Sequence, residues 1–76
     1  MRKTEIPESV KIIGSNIKVI IKEKNLKVRH VAHDSDLDVE NLRKYIKGKQ
    51  EMKISTMLKI ARALEVEIGE LFEGIR

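Results

Sequence analysis

Residues 26–50, LKVRHVAHDSDLDVENLRKYIKGKQ, contain two short stretches in which apolar residues recur at helical spacing. An acidic segment, residues 34–38, separates the two stretches, and Gly48 follows the second one. Apolar residues three or four apart predict amphipathic helices, while aspartate and glycine are typical of the turns beside them. The stretch therefore predicts two short helices joined by a tight turn, which is the arrangement of a helix-turn-helix.

Length and composition restrict the class of protein. A chain of 76 residues forms one domain, and at this size it buries only roughly 60% of its unfolded surface, so association with a second copy is an expected source of stability. The sequence has no cysteine, which excludes a disulfide framework and a thiolate zinc site. No apolar run predicts a signal peptide or a membrane span, and we expect a cytoplasmic protein with no membrane partner.

Helical periodicity continues on both sides of this stretch. Pro7 and Glu8 form a typical first turn, and the apolar residues that follow predict helix one over residues 8–24: Val10, Ile13, Ile17, Ile20 and Ile21. Gly14 interrupts this pattern at a cost of about 1 kcal/mol relative to alanine, so a kink there or a restart at Ser15 is the alternative to one continuous helix. Residues 1–7 are expected to form a flexible arm.

The remaining helices follow from caps and apolar stripes. Asn25 is suited to the left-handed position that ends helix one, helix two is predicted over residues 28–34, and Asp38 is the expected N-cap of helix three. Gly48 is expected to end helix three. Helix four is predicted from Ile54, Met57, Leu58, Ala61 and Leu64, and a short fifth helix from Ile68, Leu71 and Phe72. The predicted fold class is all-α, with five helices in a single domain over residues 8–76.

Positive charge is concentrated next to helix three. The net charge is +4, and within residues 43–53 a single glutamate, Glu51, accompanies five basic side chains: Arg43, Lys44, Lys47, Lys49 and Lys53. Such a run is either the solvated basic end of a helix, which the helix dipole favours, or a surface for phosphate groups. Its position beside the second helix of the pair favours the phosphate interpretation.

From Ile13 to Phe72 the sequence resembles the lambda-repressor-like, XRE-family helix-turn-helix domain without gaps. The similar positions are Ile13-Gly14, Ile17, Leu26, Val31-Ala32, Leu37, Leu42, Lys47-Gly48-Lys49, residues 54–66 and Glu70-Leu71-Phe72. The resemblance implies a five-helix, lambda-repressor-like DNA-binding domain. It also implies a sequence-specific transcriptional regulator of double-stranded DNA that acts without a cofactor, with repression as the default expectation.

The resemblance also implies which residues meet DNA. Those expected at base edges are Val39, Glu40, Asn41 and Lys44, and those expected at the DNA backbone are Lys27, Val28, Arg43 and Lys47. The basic run adds Lys49 to the backbone set. Lysine can donate to guanine, asparagine can pair with adenine, and glutamate can accept from cytosine N4.

Three positions depart from the family's usual pattern. Lys27 and Val28 stand where the family has serine or threonine followed by glutamine, so only the lysine charge can replace the amide contact to phosphate. Asp36 stands at a turn position usually held by glycine, and aspartate tolerates positive φ at some cost. Ile46 replaces a glutamate, so a polar tie becomes an apolar contact.

Four carboxylates lie close to the expected DNA-facing surface: Asp34, Asp36, Asp38 and Glu40. They are interpreted as caps and turn formers, but they also leave open an alternative in which the surface binds a basic protein, as in the antitoxin of a toxin–antitoxin pair. A toxin or sensor therefore remains a possible protein partner. His30 and His33 are three residues apart, but no third strong ligand is fixed, so no metal site is expected.

The C-terminal apolar residues have two interpretations. Ile68, Leu71, Phe72 and Ile75 are either ordinary core or a two-fold homodimer interface. A homodimer would present two third helices about one DNA turn apart. No nucleophile–base pair and no glycine-rich phosphate loop is recognisable, so an enzyme is not expected.

Overall fold

The computed structural model describes residues 6–75, and this part of the chain forms four α-helices and one short 3-10 helix, with no β-strand. The α-helices are α1, Glu8–Glu23; α2, Val28–Asp34; α3, Val39–Ile46; and α4, Ile54–Leu64. The 3-10 helix covers Ile68–Phe72. Helix α1 starts directly after Pro7, while most of the predicted flexible arm, residues 1–5, lies outside the described residues. None of the helices within residues 6–75 is long and apolar enough to cross a membrane.

Each α-helix is followed by a residue with left-handed backbone geometry. Asn25, Asp36, Gly48 and Glu65 have φ values of 60°, 59°, 70° and 59°. In each case the next backbone N–H donates to a carbonyl in the last helical turn, for example Lys49 N to Lys44 O at 3.0 Å. This hydrogen bond satisfies a carbonyl that the helix leaves without a partner. The predicted roles of Asn25, Asp36 and Gly48 are thereby confirmed.

The predicted fifth helix is not an α-helix. Residues 68–72 form a single 3-10 stretch between the left-handed residues Glu65 and Gly74. Five residues are too few to nucleate α-helical hydrogen bonding, and Gly69 lowers helical propensity further. The described part of the chain, residues 6–75, therefore has four α-helices rather than five.

The hydrophobic core collects side chains from every element. Helix α1 packs on α3 and on the 3-10 helix, and α2 packs on α3 and α4. The fully buried residues with large side chains are Ile17, Leu42, Ile60, Leu64 and Leu71, together with Ser35. Asn16 on α1 links this helix to the C-terminal segment, because its side-chain amide nitrogen donates to the carbonyl oxygens of Leu71 at 2.8 Å and Glu73 at 2.9 Å.

Gly14 is where α1 and α3 cross most closely. Helix α1 is continuous through this glycine, so the restart at Ser15 does not occur and the prediction of one helix is confirmed. A methyl group at Gly14 would overlap the carbonyl oxygen of Tyr45 and would lie 2.8 Å from that of Ile46. Glycine is present here because two backbones touch, and the lost helical propensity is offset by the packing this contact allows.

The outer surface of α4 is more apolar than its predicted stripe implies. Ile54 is 68% exposed and Leu58 is 47% exposed, so neither is a core residue. Ile60, Ala61 and Leu64 form the buried face instead. The five residues used to predict helix four all lie in α4, but Ile54 and Leu58 occupy its outer face, because two apolar faces of one helix produce overlapping three- and four-residue spacings.

Candidate nucleic-acid interface

Helix α3 has one face in the core and one face in solvent. Leu42 and Tyr45 are buried against the other helices. Three polar side chains, Glu40, Asn41 and Lys44, are exposed on the other side. Residues three and four apart lie on one helical face, so Lys44 lies one turn beyond the other two. A short helix held from behind in this way presents a polar ridge that fits the major groove of DNA.

Val39, the fourth predicted base contact, lies differently. Its side chain is half-buried and packs against the hydrophobic core. Only part of that side chain is therefore available at the outer surface. The residue before it, Asp38, occupies the N-cap position with an extended backbone, but its carboxylate makes no capping hydrogen bond.

The residues predicted to contact the DNA backbone surround the exposed face of α3. Lys27, Arg43, Lys47 and Lys49 are exposed, whereas Val28 is half-buried. Arg43 and Lys47 lie at the edge of a groove that runs between α1 and α3. The residues that line this groove are Lys18, Ile21, Val28, Arg43, Ile46 and Lys47.

The acidic turn between α2 and α3 points its charges to solvent. All four carboxylates at 34, 36, 38 and 40 are exposed. Within residues 6–75 the single ion pair joins His33 Nδ1 to Asp34 Oδ1 at 3.6 Å, and it counts as one only when the histidine is protonated. The buried residue of the turn is Ser35, whose hydroxyl has no hydrogen-bond partner among the described residues. The turn is thus held by backbone hydrogen bonds, and Asp36 and Asp38 have no cationic partner among the described residues.

The histidines do not form a metal site with their neighbours. Among residues 6–75, no group of three histidine, cysteine, aspartate or glutamate side chains is arranged to hold a metal ion. His30 and His33 are both exposed on α2. Their arrangement is that of ordinary surface histidines.

The C-terminal apolar residues divide between core and surface. Leu71 is 0% exposed in the single chain, so it belongs to the core and has no surface to give to a second copy. Ile68 and Ile75 are half-buried against that core, and Phe72 is 39% exposed. The predicted interface is therefore corrected by the removal of Leu71, and the other three remain candidates.

Two features of the surface were missed by sequence reasoning. Lys18 lines the groove beside Arg43 and Lys47 although it belongs to α1. The signal was its spacing of four residues from Gly14, which places both on the side of α1 that faces α3. The exposed pair on α4, Ile54 and Leu58, was missed because its spacing matched that of a core stripe.

Comparison with known families and structures gives a consistent result. The family described as the Cro/C1-type HTH DNA-binding domain matches residues 16–75. The chain belongs to this family. No curated protein matches the sequence. The resemblance on which the sequence interpretation relied is therefore confirmed at the level of the family.

Solved structures of three regulatory proteins have the same fold. The restriction-modification controller protein C.AhdI from Aeromonas hydrophila has a TM-score of 0.83 at 26% identity, covering 87% of this chain and 100% of that one. The clp gene regulator ClgR from Corynebacterium glutamicum has a TM-score of 0.82 at 17% identity, covering 86% and 84%. An HTH_3 family transcriptional regulator from Vibrio cholerae has a TM-score of 0.83 at 22% identity, covering 90% and 38%. At these lower identities the similarity of the last two shows the fold alone.

Proposed function

We propose that this protein is a sequence-specific transcriptional regulator, acting as a repressor, that inserts α3 into the major groove of double-stranded DNA. The observation that carries the proposal is the exposed polar face of α3. On the opposite side of this helix, Leu42 and Tyr45 are buried and hold it in the core. Glu40, Asn41 and Lys44 are the proposed readers of base edges, with the exposed edge of Val39 available for an apolar contact to a thymine methyl group. Repression would follow from occupation of a promoter.

The backbone contacts proposed for Lys27, Arg43, Lys47 and Lys49 have a different role. All four side chains are exposed and cationic, so they would neutralise phosphates without distinguishing sequences. Val28 has no charge and is half-buried, and it would contribute shape to the surface. Affinity and base choice would therefore be supplied by different residues around one helix.

We also propose a homodimer. The exposed apolar residues Ile54 and Leu58 on α4 and Phe72 on the 3-10 helix belong to two elements that pack against each other. The exposed Lys53 precedes this pair at the N-cap of α4, whereas the C-terminal segment carries exposed glutamates at 65, 67, 70 and 73. In a two-fold dimer the α4 surface of one copy can face the acidic segment of the other, and each contact occurs twice. The half-buried Ile68 and Ile75 would lie beneath this interface.

The similarity to the Aeromonas protein supports a regulatory rather than an enzymatic role. That protein is named as a controller of a restriction-modification system, and this chain matches its whole length. A cytoplasmic regulator that needs no cofactor is the proposal that follows.

A protein-interaction module is the second candidate function, with the antitoxin of a toxin–antitoxin pair as its example. The observation that favours it is the exposed acidic turn, whose carboxylates at 34, 36 and 38 lack a lysine or arginine partner within the described residues. Negative charge repels DNA and attracts a basic protein. In this case Asp36→Asn with Glu40→Gln would abolish partner binding, while neutralising Lys47 and Lys49 would not.

Selection of bound duplexes from a random oligonucleotide pool at moderate salt tests the proposal. The wild-type protein should enrich an inverted repeat, and Lys44→Ala should blur one position in each half-site. Lys59→Ala is the matched control, because Lys59 is an exposed lysine on α4, outside the proposed interface. Absence of enrichment from protein that circular dichroism shows to be folded would overturn the proposal.

A further inference from the structure

The groove between α1 and α3 combines an apolar floor with a cationic rim. Ile21, Val28 and Ile46 supply the floor, and Lys18, Arg43 and Lys47 supply the rim. No carboxylate lines the groove, and within residues 6–75 none of the three cations takes part in an ion pair. Three like charges around one depression repel one another and favour the arrival of an anion.

The position of Lys18 relative to α3 is set by backbone contact. Gly14, one turn earlier on α1, lies against the carbonyl oxygens of Tyr45 and Ile46. Lys11, one turn earlier still, packs at the end of α3, where a methyl group at Gly48 would lie 2.9 Å from its Cα. Residues 11, 14 and 18 therefore lie on the side of α1 that faces α3. The packing of α1 on α3 places Lys18 at the groove.

A ligand of this groove must be an anion that can also lie beside the exposed face of α3. Arg43, on the rim of the groove, is the neighbour in sequence of Lys44, a proposed base contact. The sugar-phosphate backbones run along both edges of the major groove, which is about 12 Å wide. A duplex placed with its bases at Lys44 would therefore have backbone phosphates within reach of the groove rim.

We infer that this groove binds a backbone phosphodiester of the DNA duplex, and that Lys18 on α1 is a third cationic ligand of that phosphate, together with Arg43 and Lys47. The inference rests on the proposed function and extends the DNA-binding surface from the helix-turn-helix to the first helix. The apolar floor limits the water around the phosphate and so strengthens the attraction of the rim charges. Its contribution is the same for every sequence, because a phosphate carries no base information.

Titration of duplex binding against salt tests the inference with two charge-matched variants. Lys18→Gln and Lys59→Gln each remove one positive charge from an exposed lysine, but only Lys18 lines the groove. Lys18→Gln should weaken binding several-fold at low salt, equally for selected and random duplexes. It should also reduce the slope of log affinity against log salt by roughly 0.9 per bound chain, the value for one lost phosphate contact. Lys59→Gln should leave the slope unchanged.

A substitution in the floor provides a second test. Ile46→Glu places a carboxylate among Lys18, Arg43 and Lys47, where it would compete with the phosphate, whereas Ile46→Gln changes polarity without charge. Ile46→Glu should bind all duplexes more weakly than Ile46→Gln, and thermal melts should show both proteins folded. If both melt below the assay temperature, the salt slope of Lys18→Gln decides alone.

Two results distinguish failure of the inferred phosphate site from failure of the proposed DNA-binding function. Folded wild-type protein that binds no duplex would overturn both. Wild-type protein that binds duplexes, with Lys18→Gln and Lys59→Gln giving equal slopes, would overturn the phosphate site and leave the proposed function standing.

Discussion

Helices α3 and α4 pack on the same core with similar apolar faces, but their outer surfaces are opposite in character. The outer side of α3 carries Glu40, Asn41 and Lys44, whereas that of α4 carries the exposed apolar pair Ile54 and Leu58. The inner faces explain why both segments are helical. In the proposed function, the outer face of α3 would meet a polyanion and that of α4 a protein surface.

The difference also separates stability from function. Leu42 on α3 and Ile60 on α4 are both 0% exposed, and substitutions there would damage the fold in either helix. Substitutions on the outer faces should leave the fold intact and change binding instead. Four substitutions test this division between residues for stability and residues for binding.

The largest effect is expected where α3 rests on α1. Gly14→Ala would drive a methyl group into the carbonyl oxygen of Tyr45, which cannot move aside as a side chain could. We expect a loss of about 3 kcal/mol in the free energy of unfolding, at the upper end of overpacking effects. Urea unfolding measures it. Gly69→Ala is the control, since nothing lies within 4 Å of a methyl group there, and equal stability of the two variants would contradict the close contact.

Making the outer face of α4 polar should remove the dimer. Leu58→Lys is expected to yield a monomer in sedimentation experiments and to weaken operator binding about 100-fold, because the two half-sites would no longer be bound together. Val19→Lys is a matched control, since both side chains are 47% exposed and only Leu58 lies on α4. A dimer that survives Leu58→Lys would move the interface away from this face.

Substitutions on the outer face of α3 should distinguish contacts to base edges from contacts to backbone phosphates. Lys44→Ala is expected to relax preference at one base position by about tenfold, in line with the 1–3 kcal/mol assigned to a base contact. Lys47→Ala should weaken all duplexes alike. Competition binding against single-base variants of the selected site compares the two, and a uniform loss in both would mean that Lys44 contacts phosphate.

The smallest effect is expected in the acidic turn. Asp36→Asn removes a negative charge near the DNA-facing surface, and asparagine accepts the left-handed backbone found there, with a φ of 59°. Random duplexes should bind about twofold more tightly at low salt, an effect expected from loss of repulsion by one exposed charge, with no change in unfolding. Glu67→Gln is the distant control. A change in base preference instead would show that the turn itself contacts DNA.

Local sequence signals were sufficient for the parts of the fold that depend on local chemistry. The bounds of α2 and α3 follow from Asn25, Asp36 and Gly48, which adopt the left-handed geometry that ends helices. The 3-10 conformation of residues 68–72 could not be predicted from periodicity, because apolar spacing alone does not distinguish one 3-10 turn from the start of an α-helix.

The candidate site was only partly predictable for a related reason. Glu40, Asn41 and Lys44 lie within a stretch of five residues, and a helical wheel places them together. Lys18 reaches the same surface through a tertiary contact between helices that are far apart in the chain, and single-sequence patterns carry no direct record of such contacts. Likewise, the outward direction of Leu58 depends on which face of α4 its neighbours cover.

The contact at Gly14 has a mechanical consequence. Side chains between helices can change rotamer and absorb small displacements, whereas two touching backbones transmit them. Helices α1 and α3 should therefore move as one rigid body, and a force applied at Lys18 should tilt the proposed base-reading face of α3 by the same rotation. The depth at which α3 enters DNA in the proposed complex would then be governed from α1, a helix to which no base contact is assigned.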